Sequence, residues 1–233
     1  MEVAARRPRV ARLRSPFLVV IGTCALFVCL TLAAMLVYPG GRVGDRASLG
    51  YSFFTIFFCD LGQTQTHSGA SNAPSLVLFL IALVTLAFGL PLFFFAFARL
   101  FERGSRGALI VRVAPPAAAL SAICFLGVGA TPWNLYLQAH NEFVTWAFRA
   151  LLIAMLAALA ASLSDRAFAR TFGAVFGAYT LVLIGYVLLI ALGPAPATAA
   201  GAAIQATGQK IIIYASILNI VTASFIARSI LAR

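Results

Sequence analysis

The sequence predicts an all-α, polytopic membrane protein with six transmembrane helices and both termini in the cytoplasm. Three observations predict it. Of 233 residues, 62% are hydrophobic and only 10% are charged, against about 45–50% and about 25% in soluble domains. The apolar residues gather into six runs long enough to cross a bilayer, and the basic residues crowd onto one side of those runs. A mean hydropathy of +1.00 excludes a disordered chain, a nucleic-acid-binding domain and an ordinary cytoplasmic enzyme. The net charge of +11 therefore reads as membrane orientation rather than as a site for nucleic acid or another polyanion.

A membrane helix needs about 20 apolar residues to cross about 30 Å of hydrocarbon. Residues 17–38, 74–98, 108–131, 141–163, 168–193 and 208–231 qualify. They divide the chain into a basic cytoplasmic segment, 1–16, and a single transmembrane domain, 17–233. The first run follows Arg6, Arg7, Arg9, Arg12 and Arg14, but it exceeds the h-region of about 7–15 residues of a cleaved signal peptide, so it reads as a retained helix. With the N-terminus inside, those arginines share the inner side with Arg99, Arg103, Arg106, Arg112, Arg166, Arg170, Arg228 and Arg233. The outer side holds Arg42, Arg46 and Lys210. The positive-inside rule then sets both ends in the cytoplasm, and a chain of this kind is expected in a bacterial inner membrane.

The inner loops are short, which makes the second and third helices, and the fourth and fifth, antiparallel neighbours. The outer loop after the first helix is long. Its charge-free, Phe-rich stretch 51–58 reads as a short helix lying in the interface or tucked into the bundle mouth. Tyr38, Trp133 and Tyr136 fall at the level of an aromatic belt. Pro115 and Pro116 predict a kink in the third helix, Pro91 a bend in the second. Gly173, Gly177 and Gly185 suit close helix packing, and Asn219 suits an interhelical contact. Cys24, Cys29 and Cys124 lie in apolar runs and behave as small hydrophobes. With Cys59 they show no metal-ligand or disulfide spacing.

The reactive side chains collect at the outer ends of the helices: Asp60, His67, Asn72, His140, Asn141, Glu142, Gln205, Gln209 and Lys210. Groups of this kind in or near hydrocarbon pair with one another or face water, which predicts a polar pocket beneath the outer loop. Solvated helix ends are the competing reading. Arg149 sits eight residues into the fourth run, about 12 Å down at 1.5 Å per residue. Glu142, two turns earlier, shares its face. A guanidinium at that depth is expected to turn inward and meet a carboxylate, a carbonyl or an anion.

The order Tyr38-Pro39-Gly40, Asp60-Leu61-Gly62, Asn72, then Pro132 with His140-Asn141, then Gln209-Lys210 resembles the bacterial six-helix members of the Frag/DRAM/Sfk membrane family, with Lys210 where that family's Gln-Arg pair has arginine. The resemblance spans roughly residues 17–231 and implies a six-helix bundle with an outer polar cluster. It implies no activity.

Two function classes stay open. In the first, Arg149, Glu142, Lys210, Gln209, Asn72 and Asn141 bind a lipid headgroup or another small anion, or the chain is an accessory subunit. Its partners are then membrane lipids and other membrane proteins. In the second, Asp60 and His140 serve an intramembrane lipid hydrolase or transferase. His67 and His140 are minimal metal candidates there, without the paired spacing of zinc sites. No cofactor is expected: bis-histidine haem would need loop-borne His67 to face His140, and retinal a lysine deeper in a helix than Lys210. Nor does an internal repeat suggest a transporter.

Overall fold

The computed structural model describes residues 2–232, with side-chain surroundings for residues 14–166 and 168–232. The side chains of Arg6, Arg7, Arg9 and Arg12, in the basic N-terminal segment, lie outside the described residues. Among the described residues seven helices make six spans: α1 (Glu2–Leu36), α2 (Ala73–Ala98), α3 (Arg106–Val111) with α4 (Ala114–Ala130), α5 (Trp133–Leu163), α6 (Arg166–Leu192) and α7 (Ala199–Ile230). All six are long and apolar enough to cross a membrane, so the chain is a multi-pass membrane protein.

Local chemistry explains the breaks. The third span is split rather than merely kinked, because Pro115 and Pro116 occupy the first turn of α4, where a missing N–H costs nothing. The α4–α5 joint falls at Thr131-Pro132, since the residue before proline is driven out of the helical region. α5 starts eight residues earlier than hydropathy alone indicates, and it bends at Tyr136 (φ −133°, ψ 53°). That bend carries Trp133 and Asn134 over the end of the bundle. α7 likewise begins at Ala199, capped by the Thr198 hydroxyl, which accepts from Gly201 N at 3.0 Å.

α1 packs on α2, α2 on α4, α4 on α5, α5 on α6 and α6 on α7, and α7 returns to α1. The helices thus close into a ring. Two clusters fill it. Toward the chain termini, Phe93, Phe97, Phe172 and Phe176 interlock edge-to-face and stacked at 5.1–6.5 Å, each pair contributing about 0.5–1.5 kcal/mol. At the opposite end Phe27, Phe58 and Phe79 form the second cluster with Ile56 and Leu61. Phe125, Val144, Ile213 and Ile217 touch both.

The long loop builds that second cluster. After α1 comes a hairpin, β1 (Gly40–Arg42) with β2 (Asp45–Leu49), entered through Gly40 and Gly41 at φ 111° and 87°. No residue with a Cβ adopts such angles readily. The Phe-rich stretch is not itself helical. It runs through turns into a 3-10 turn, Phe58–Gly62, and residues 51–64 fold down as a plug in the mouth of the ring. Phe58 reaches furthest, packing on Phe27, Phe79 and Tyr214 with ring centroids 5.7–6.5 Å apart.

The expected packing glycines differ too. Gly177 and Gly185 have open space where a Cβ would stand, whereas Gly89 lies against Thr23 and Gly62 against the Phe79 ring. Gly173 meets only Leu163, at ordinary contact distance, so the α6 glycines are not points of close approach; α6 is approached instead by Gly208 of α7, which lies against Leu189.

Candidate functional site

Three elements hold the plug. From α5, the Trp133 indole donates to Asp60 Oδ1 at 2.8 Å. The same oxygen accepts from Gln63 Nε2 at 3.1 Å, and Asp60 Oδ2 accepts from Phe57 N at 3.1 Å. Asn134 adds two bonds to Thr64. From the start of α2, Asn72 Nδ2 is shared among the carbonyls of Asp60, Leu61 and Gln63 at 3.0–3.2 Å, and Ser75 donates to Leu61 O. From α7, Thr207, Lys210 and Gln209 engage the backbone of Phe54, Ile56 and Phe58, alternate positions of the plug. The Lys210 ammonium donates to the Ile56 carbonyl and lies over the Tyr51 and Phe53 rings at 5.3 and 5.7 Å.

Burial raises the Asp60 carboxyl to about 7, against the donors from Trp133 and Phe57 and the positive charge of Lys210. Burial, then Asp60, pushes the Cys59 thiol up to about 12, so it is no thiolate nucleophile at neutral pH. His67 packs against Trp133 with ring centroids 5.3 Å apart and the planes tilted by 45°, and burial followed by Arg46 lowers its basicity.

Beneath the plug lies an apolar chamber of about 60 Å³. Phe58, Cys59 and Gln209 form its roof, and Phe27, Leu83, Phe125, Phe148, Ile213 and Ile217 are among its walls. Tyr186 and Ser216 add its few polar atoms. The chamber occupies the seam between the two aromatic clusters, where Phe125, Val144, Ile213 and Ile217 belong to both. A smaller recess beside it, lined by Thr23, Cys24 and Gly89, shares Phe27, Leu86, Leu90, Ile217 and Ile220 with it. The chamber therefore extends toward the α1–α2–α7 seam.

Of the residues singled out from sequence, Asp60, Asn72, Gln209 and Lys210 converge on the plug. The others do not. Arg149 is exposed on the outside of the ring, its guanidinium 5.4 Å from the Trp146 ring, and Glu142 and Asn141 are exposed as well. The expected inward guanidinium is thus corrected. The face of α5 toward the bundle is set by Ala147, Leu151, Ala154, Ala158 and Ala161, and at 100° per residue Arg149 stands about 160° from both Ala147 and Leu151. His140 is buried, but its Nδ1 lies 2.7 Å from Thr131 O at the α4–α5 joint. It makes no contact with Asp60, which turns to Trp133 and Gln63. Among the described residues no three His, Cys, Asp or Glu side chains gather to hold a metal ion; His67 and His140 lie on separate elements.

Sequence reasoning missed Trp133, Gln63 and the chamber walls. Gln63 carried a local signal, three residues after Asp60, and stands at the C-cap of the 3-10 turn. The alanine spacing of α5 also marked its packed face, since small residues mark helix contacts in membranes.

The chain matches no family model, no curated protein and no solved structure.

Proposed function

We propose that this membrane protein binds the terminal segment of a hydrocarbon chain of a membrane lipid in the chamber beneath the plug. The observation that carries the reading is the chamber itself: about 60 Å³ would admit about four to six waters, yet an apolar lining keeps such a space dry. Hydrocarbon is the abundant occupant of the surroundings, and the smaller recess continues the chamber's apolar lining toward α1, α2 and α7. The roof contributes Gln209 and Cys59, polar but uncharged, next to the tail end of a guest rather than an anionic headgroup. The arrangement favours binding over turnover. Asp60 has both oxygens engaged by donors, and His140 is tied to a carbonyl elsewhere. In keeping with the arginine distribution, the plug faces away from the cytoplasm of a bacterial inner membrane.

The test is thermal denaturation of detergent-purified protein titrated with oleic acid. A ligand present at 100 times its Kd stabilises the folded state by about 2.7 kcal/mol, which raises the midpoint of wild type. In Ile217→Phe, which fills the chamber, the midpoint stays put. Equal shifts in both proteins, or none in wild type, defeat the reading.

A further inference from the structure

Arg149 lies fourteen residues before Leu163, the last residue of α5, hence about 21 Å from that end at 1.5 Å per residue. The polar turn Ser164-Asp165-Arg166 is exposed there and marks one membrane boundary. In about 30 Å of hydrocarbon, Arg149 sits about 9 Å inside the opposite, plug-side boundary, within a snorkelling arginine's reach of the headgroups. Glu142, Trp146, Arg149, Ile153 and Leu156 are all exposed and follow helical spacing, so they form one lipid-facing stripe.

That stripe is rich in donors and poor in acceptors at the level of Arg149. Among the described residues the guanidinium makes no ion pair, not even with Glu142 two turns away, and it lies 5.4 Å from the Trp146 ring. Among the described residues the Trp146 indole N–H, exposed on the same stripe, has no hydrogen-bond acceptor. A cation and a neutral donor facing hydrocarbon call for an external acceptor, and at this depth the membrane supplies phosphate oxygens. Guanidinium matches phosphate with paired hydrogen bonds, and an indole at the interface adds one more.

We infer that Arg149, with Trp146, binds the phosphate of an anionic phospholipid in the plug-side leaflet. This site is on the outside of the ring and is independent of the chamber, so either can fail without the other. Trp146, Arg149 and Ile153 are exposed, so their replacement leaves the fold intact, which an unchanged denaturation midpoint verifies.

Native mass spectrometry of detergent-solubilised protein titrated with phosphatidylglycerol measures the affinity for the first bound lipid. Arg149→Ala is expected to weaken it about tenfold, the loss of one charge-assisted contact. Trp146→Phe, which keeps the ring and removes the N–H, weakens it by about two- to threefold. Ile153→Ala, one turn along the same stripe, leaves it unchanged. Retention of phosphatidylglycerol by Arg149→Ala at the wild-type level overturns the inference, as does an equal loss in Ile153→Ala, which would mean nonspecific lipid contact.

Discussion

The Asp60 carboxylate and the Trp133 indole, 73 residues apart in sequence, meet at 2.8 Å because α5 bends at Tyr136. This bond ties the plug to the far wall of the ring. Trp133→Phe retains the ring but leaves Asp60 Oδ1 with Gln63 alone, a loss of about 1–3 kcal/mol. Chemical denaturation in detergent micelles measures it. A midpoint equal to wild type would show that the bond ties nothing.

Asp60 also gives the fold a pH dependence of defined sign. Its carboxyl titrates at about 7 in the folded protein, against an ordinary value of 3.8. Between those values the folded state binds more protons than the unfolded one, so stability falls as pH rises and levels off above pH 7. Denaturation midpoints at pH about 4.5 and about 7.5 should therefore decline in wild type and change much less in Asp60→Asn. A slope that survives in Asp60→Asn assigns it to another group.

Asn72 offers one amide to three carbonyls. Asn72→Ala leaves them without it, costing about 1–3 kcal/mol. Asn72→Asp is expected to do worse, since it turns an acceptor toward three acceptors. Amide hydrogen exchange across residues 57–64 reads the difference directly, and faster exchange in Ala than in Asp would reverse the account.

Lys210 latches the plug through a carbonyl and two rings, not through an ion pair. Replacing it with methionine keeps an apolar stem of similar length and relieves the burial of a charge. Overall stability then changes little while the plug opens more often. Cys59 reports that opening. In a Cys29→Ser background, maleimide labelling of Cys59 is slow in the closed protein, and Lys210→Met speeds it on the order of tenfold. Unchanged labelling would place the latch elsewhere.

The orientation argued from arginine distribution has its own check. In intact cells, a membrane-impermeant maleimide should label Ser68→Cys in the plug-side loop and spare Ser105→Cys between α2 and α3. The opposite pattern inverts the topology.

Much of the architecture was legible because it rests on local properties. Six spans follow from run length and hydropathy, and Pro115 and Pro116 located the irregularity in the third, read as a kink where the helix is in fact split. The polar cluster was visible in part: Asp60, Asn72, Gln209 and Lys210 do assemble. What they assemble around is a segment of backbone, not an open pocket. Sequence cannot show that the Lys210 charge is met by the Ile56 carbonyl, because a carbonyl is present at every residue.

Arg149 shows where legibility stopped. Its depth is fixed by counting residues along α5, and hydropathy supplies the count. Its direction depends on how α5 is rotated about its axis, and that is decided by alanines packing against α4 and α6. The chamber is likewise a tertiary fact, the gap left where two aromatic clusters fail to meet. Composition and order along the chain determined that this protein lives in a membrane and how often it crosses. Only the packing of helix against helix determined which side chains face each other, because van der Waals fit acts between surfaces that the chain brings together from distant positions.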